Sequence, residues 1–591
     1  MKTNQTKYLS YIITLCLPFL LYSCSKSFLN QQAKGALTEG DMANPQGVDA
    51  LLLAAYASLD QQGSNVTAIA GGSPWETSPD NWIYGSVAGG DSHKGSSLSD
   101  QPPIVPIANA QENASNGFFN DKWNALYECV TRCNKVLYMI KKAGNNITSA
   151  QATEDKAEAL FLRGHFYFEL KKLFNNVPWI TDTSVNYNIP NTANIWPNIE
   201  ADFTFAMDSL PATQSQVGRC NKWAAMAYLA KVYLYEQKYS QAKTLFDQVV
   251  ASGVTSNGLK YALTDRFEDN FDAATNNSSE SVFAVQMVAN DGTNSIANAN
   301  QGDMLNFPYN SPFRCCGFYQ PSVDLANSYR TDANGLPLPN TYNNSANAVK
   351  NDMGLSSGQA FTPDAGNLDP RIDWTVGRRG IPFHDWGLHP GNNWIRDQGT
   401  AGPYSNKKNI YWQATASKYS DQSSWAPGTA INCNIIRYAD VLLMAAECEA
   451  QLGNYANAEN YVNMVRTRAA LPINVLHTYI DNANPMSGFT TTPAANYVIS
   501  PYPAGYFTAS TALPTIYFER KLELACEGHR FFDLVRWGIA STALNAYYKY
   551  EGKIVGDLST GNFTKGTNEY FPIPQTQIDL SNGVLKQNTG Y

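Results

Sequence analysis

Ala230, Tyr239 and Ala242 recur at one constant offset of 216 residues, as Ala446, Tyr455 and Ala458. Each set falls at the same place in a pair of predicted helices, 221–236 with 240–252 and 438–452 with 455–470. Alanine at a helix crossing lets two backbones approach closely, and a pair built this way buries its apolar face only by stacking on a neighbouring pair. A chain carrying such pairs is therefore constrained to an array of stacked helices. With 591 residues, 43% of them hydrophobic and only 16% charged, it has ample material for a large core and too little charge for a disordered chain.

The repeated spacing resembles the tetratricopeptide repeat. Further helices are predicted over 49–59, 118–142, 154–174 and 199–210. In the second of these, Trp123, Leu126, Tyr127, Val130, Leu137 and Tyr138 recur at helical spacing, and Pro178 and Pro211 bar continuation of the last two. Between the repeat pairs lies 253–434, rich in Gly, Asn, Pro and aromatics, with short strand-like runs such as 282–288; segment 71–110 is equally poor in apolar periodicity. Loops of this length inside a compact protein usually carry function. The expected fold is mainly α: a tetratricopeptide-like scaffold, chiefly 45–252 and 435–540, with a loop-rich ligand half, chiefly 71–110 and 253–434, in a single large body.

Lys2 and Lys7 precede about fifteen mostly apolar residues, 8–22, the length of a signal-peptide core and too short for a bilayer span. The run ends in Leu21-Tyr22-Ser23-Cys24, which is similar to the bacterial lipobox, so 1–23 reads as a signal peptide and Cys24 as a lipidated residue that anchors the protein. The formal charge is −8 with no basic run, which excludes the electrostatic footprint of a nucleic-acid binder. No GxSxG elbow, P-loop, HExxH, GxGxxG or complete EF-hand loop occurs, and Asp332-Ala333-Asn334-Gly335 reads as a turn. Cys129 and Cys133 stand i,i+4 on a helix without a second ligand pair, so no metal and no cofactor are expected.

The segment Glu519-Arg520-Lys521-Leu522-Glu523-Leu524-Ala525-Cys526-Glu527-Gly528-His529-Arg530-Phe531-Phe532-Asp533-Leu534-Val535-Arg536-Trp537-Gly538 is similar to the most diagnostic stretch of the SusD/RagB family of outer-membrane nutrient-binding lipoproteins. Ala159-Leu160-Phe161-Leu162-Arg163-Gly164, Arg437-Tyr438-Ala439-Asp440-Val441-Leu442-Leu443-Met444 and the ending Gln587-Asn588-Thr589-Gly590-Tyr591 agree in order and spacing, so the resemblance spans nearly the whole chain. It implies a non-catalytic, lipid-anchored protein at the outer membrane and cell surface that sits as a lid on a SusC-like TonB-dependent transporter and delivers oligosaccharides. Peptide or other nutrient capture, and a purely structural lid, are the alternatives. One departure is the absence of acidic residues in Ser25-Lys26-Ser27-Phe28-Leu29-Asn30, which many surface-exported relatives carry after the lipidated Cys. The alternating charges at 519–536 stand among apolar residues and read as interior ion pairs.

A sugar needs exposed aromatic planes beside amide, carboxylate or guanidinium groups. Two loop regions supply both. Asp80, Asn81 and Trp82 set a carboxylate, an amide and an indole side by side, where relatives often place acidic ligand contacts. Arg378 and Arg379 follow a glycine and could bridge vicinal hydroxyls, with Trp386 and Tyr404 as lining rings and Trp374 packed inward. In Arg314-Cys315-Cys316-Gly317-Phe318-Tyr319, Cys316 and Tyr319 are further candidates, the adjacent cysteines being either a vicinal disulfide or two small loop residues.

Overall fold

The computed structural model describes residues 38–293 and 295–591, so the 1–23 segment and Cys24 lie outside the described residues. Helix α1 (Pro45–Ala57) starts upstream of position 49 because Asn44 caps it, its side chain accepting from Gly47 N, and because Pro45 loses no hydrogen bond at a helix start. Helices α2 (Gly117–Ala143) and α3 (Ser149–Phe174) are capped likewise by Asn116 and Thr148. Then follow α4 (Trp196–Ser209), α5 (Lys222–Tyr235), α6 (Tyr239–Ser252), α7 (Tyr438–Gln451), α8 (Tyr455–Ala469), α9 (Ala512–Glu523), α10 (Arg530–Arg536) and α11 (Ala540–Glu551). From α1 to α8 each helix packs on the next, and α7 stacks on α6 although 253–437 separates them in sequence. Ala230, Ala242, Ala446 and Ala458 are all fully buried at these crossings. The fold is mainly α and tetratricopeptide-like, as the repeated spacing requires.

Among the described residues the sheets are two-stranded. β1 (Ser92–Gly95) pairs antiparallel with β3 (Phe318–Pro321), His93 opposite Gln320, and so joins the two loop-rich segments. β2 (Ser281–Val285) pairs antiparallel with β4 (Cys433–Arg437), the strand that leads into α7. It ends earlier than 288 because Met287 N turns to the Asn432 side chain instead of a ladder carbonyl. No helix among the described residues is long and apolar enough to cross a membrane.

Glu519, Arg520, Lys521, Glu523, Glu527, Asp533 and Arg536 enter interior ion pairs, whereas Arg530 has no such partner among the described residues. Arg371 binds Asp369 (2.6 Å), Glu519 (2.8 Å) and Glu523 (2.8 Å); Arg437 binds Glu280, Glu523 and Glu527; Arg466 binds Glu519; Arg468 binds Glu280 and Glu523; Lys408 binds Glu527. Five cations thus face five carboxylates, and only this closure makes their burial tolerable. Burial pushes the Glu523 carboxyl up, but Arg468, Arg437 and Arg371 outweigh it and hold the group far below the usual range. Through Arg371 and Lys408 the network fastens the loop-rich half to α9. Gly528 adds a steric lock: its φ is +75°, and a Cβ there would lie 1.7 Å from the Asp80 carbonyl oxygen.

Candidate functional site

The structure places most of the expected binding residues in the interior, several of them with their polar groups on protein partners. Trp82 is fully buried; its Nε1 donates to the Gly302 carbonyl (3.2 Å) and its ring lies 5.5 Å from that of Tyr319. Tyr319, 2% exposed, donates its hydroxyl to Ser86 Oγ (3.0 Å). Asn81 is buried and donates to Glu169 Oε2 (2.9 Å). Arg378 does not reach a ligand face: its Nε and Nη2 bind both oxygens of the buried Asp373 at 2.6 and 2.7 Å. Arg379 spends its guanidinium on the Ser356, Ser357 and Gln359 carbonyls. Tyr404 is 1% exposed. Trp386 donates to the Tyr411 carbonyl (2.8 Å) and meets Phe313 edge-on at 4.7 Å, inside an aromatic cluster with Phe307, Phe383 and Tyr411.

Asp80, Trp82 and Tyr319 do come together, both rings buried and Asp80 half-buried, whereas Arg378, Arg379, Trp386 and Tyr404 support the loops. The aromatic cluster that holds Trp386 is the floor under Phe313, and Phe313 precedes the loop that does reach the surface.

That surface is built from three segments. Ser420–Asp421 pairs with Gly428–Thr429 in a short hairpin, Asp421 Oδ1 accepting from Ser423 N (2.8 Å), and Ala426 is buried against Ile296, Ala299 and Met304. The tip is left to Trp425, which is 44% exposed. Trp75, in the short helix Pro74–Thr77, meets it edge to face with ring centroids 6.2 Å apart. The exposed Arg314 donates through Nη1 to the carbonyl of Ser424 (2.9 Å), the residue before Trp425. Next to it Cys315 and Cys316 form a disulfide, with Cys315 half-buried against the Ala426 cluster and Cys316 behind it. Val66 closes the edge, its N–H held by Gln301 Oε1 at 2.8 Å. An indole plane, a guanidinium and apolar sulfur in one patch can stack on a sugar ring face and hydrogen-bond its hydroxyl edge.

Beneath Trp75, Glu76 accepts from Ser73 N (3.1 Å) and completes the capping box of the short helix. Burial raises its carboxyl to about 7, aided by the hydrogen bond to Asp121. Trp425 escaped the sequence reading. Its signal was context: a lone tryptophan in Ser423-Ser424-Trp425-Ala426-Pro427-Gly428, among turn formers and outside any aromatic run.

The chain belongs to the SusD family, whose model matches residues 279–591; a second model, described as "Starch-binding associating with outer membrane", matches 48–234. A SusD-like protein of Formosa agariphila is 26% identical over 491 residues, 80% of each chain. Among solved structures, a SusD superfamily protein from Bacteroides vulgatus aligns with a TM-score of 0.66 at 20% identity, covering 93% of this chain and 100% of that one. Surface glycan-binding protein A from Bacteroides thetaiotaomicron, solved in complex with laminarihexaose, aligns with a TM-score of 0.63 at 20% identity, covering 92% of this chain and 99% of that one. The last two likenesses are likenesses of fold.

Proposed function

We propose that this protein captures an oligosaccharide on the Trp425–Trp75–Arg314 face and passes it, without cleaving it, to a SusC-like TonB-dependent transporter at the outer membrane, held there by a lipid on Cys24. The exposed Trp425, edge to face with Trp75 and next to the Ser424 carbonyl that holds Arg314, is the observation that carries the reading. The laminarihexaose complex of a structural neighbour and the starch-binding description of the matching family support a glycan as the ligand. Indoles, a guanidinium and a disulfide offer the stacking and hydrogen bonds that capture of a sugar needs. Such open faces bind weakly, which suits release to a transporter.

Calorimetric titration of the purified protein against glucan oligosaccharides of different linkage, with a peptide mixture alongside, tests this. Saturable heat with one glycan class that disappears in Trp425→Ala is the expected result. Heat only with peptides, or glycan heat unchanged in Trp425→Ala, would overturn it.

A further inference from the structure

A cleft of about 420 Å³ lies along helix α2, between the 178–189 loop and the 577–585 segment. That is the size of a small-ligand pocket. The loop is pinned on both sides of it. The Ile180 carbonyl accepts from Tyr167 Oη (2.7 Å) and Asn134 Nδ2 (3.1 Å), and Asn191 Nδ2 donates to the Asn176 and Lys586 carbonyls at 3.0 and 2.8 Å. Between these anchors Tyr187 lines the cleft with 69% of its surface exposed. Tyr127, also in the lining, donates its hydroxyl to the Pro178 carbonyl (2.8 Å), whereas the Tyr187 hydroxyl meets no protein partner among the described residues. One ring is a support and the other is left open.

Three amide atoms are open as well. Gln577 Nε2 donates to Asn120 Oδ1 (2.8 Å) and Asn124 Oδ1 (3.0 Å), and Asn188 Nδ2 donates to the Ser581 carbonyl (3.1 Å). Asn124 Nδ2, Gln577 Oε1 and Asn188 Oδ1 are thereby left without protein partners among the described residues. One donor and two acceptors around an exposed phenol ring match the ring face and hydroxyl edge of a sugar. No charged residue among those described lines the cleft. An ionised ligand would lose hydration here without gaining a counter-charge, so the lining selects a neutral one.

Helix α2 also connects this cleft to the Trp75 face. A Cβ on Gly72 would lie 2.5 Å from Glu76 Oε2 and 2.7 Å from Asp121 Oδ2, so the short helix that carries Trp75 rests on α2 at Asp121. Asn124 follows three residues later, about 4.5 Å along the helix axis.

We infer that the cleft of Tyr187, Asn124, Gln577 and Asn188 is a second contact site for an uncharged glycan, engaged by chains long enough to reach it while held at Trp425. The inference rests on the capture reading above. A weak second contact made by a chain already held at the first is intramolecular, so it raises affinity for long chains and leaves short ones unchanged.

The test is calorimetric titration of the full chain with starch-derived and laminarin-derived glucans, each from disaccharide to polymer. Affinity should rise with length by roughly tenfold or more in the parent. Tyr187→Ala should bind short chains like the parent and lose that rise, Tyr187→Phe should keep most of it, and Trp425→Ala should lose binding at every length. A parent without the rise, a rise unchanged in Tyr187→Ala, or an equal loss for short and long chains in that variant would overturn the second site and leave the Trp425 reading standing. No heat with either series, or heat unchanged in Trp425→Ala, would overturn that reading and this inference with it.

Discussion

Two tryptophan-rich regions of the loop-rich half have similar composition and opposite use. Along 374–412, Trp374, Trp386 and Trp412 all send their indole N–H inward, to the Asn474 carbonyl, the Tyr411 carbonyl and Glu268. At the 75/314/425 face Trp425 projects from a hairpin tip, and the arginine beside it is anchored by carbonyls instead of a carboxylate. Aromatic density marks the first region and isolation marks the second. The destination of the indole N–H, more than the number of rings, separates a support from a binding face.

Mutation can break the comparison in order of effect. Phe313→Ala removes a fully buried ring from the centre of the supporting cluster and should cost about 4 kcal/mol of stability, read from denaturant unfolding. Arg378→Met strands the buried Asp373 carboxylate and should cost about 3 kcal/mol, with glycan affinity unchanged in the fraction that folds. Trp425→Ala should do the reverse, moving stability by less than about 1 kcal/mol and glycan affinity by about 2 kcal/mol, roughly 30-fold. Equal stability losses in Phe313→Ala and Trp425→Ala would erase the distinction.

A smaller effect sharpens it through pH. Glu76 keeps its proton in the folded protein up to about 7, whereas the unfolded chain loses it near 4.5. The folded state therefore binds the extra proton between those values, so stability falls as pH rises from about 4.5 to 7 and the deficit persists above 7. Glu76→Gln keeps an acceptor for Ser73 N and removes the titration. Its melting temperature should exceed the parent's at pH 8 and match it near pH 4, checked by thermal unfolding across that range.

The scaffold was legible because its signals are local. Alanine spacing at 230, 242, 446 and 458 and apolar periodicity in 118–142 each declare a helix face within a few residues. Helix starts were less legible, since Asn44 and Thr148 cap upstream of the apolar pattern. At the candidate site the same reasoning selected residues of the right chemistry whose exposure is set by distant partners. Trp82 is spoken for by Gly302, Asn81 by Glu169, and the Asp373 that takes Arg378 is itself oriented by Tyr497 at 2.6 Å.

By itself, then, the sequence determined the stacked-helix architecture, the interior pairing of most charges in 519–536 and membership of the SusD family, because period, charge alternation and motif order are properties of neighbouring residues. Tertiary structure alone decided which rings face water and which are buried. Those outcomes depend on distant hydrogen-bond partners, 220 positions apart for Trp82 and Gly302 and 233 for Tyr319 and Ser86, which no local pattern encodes.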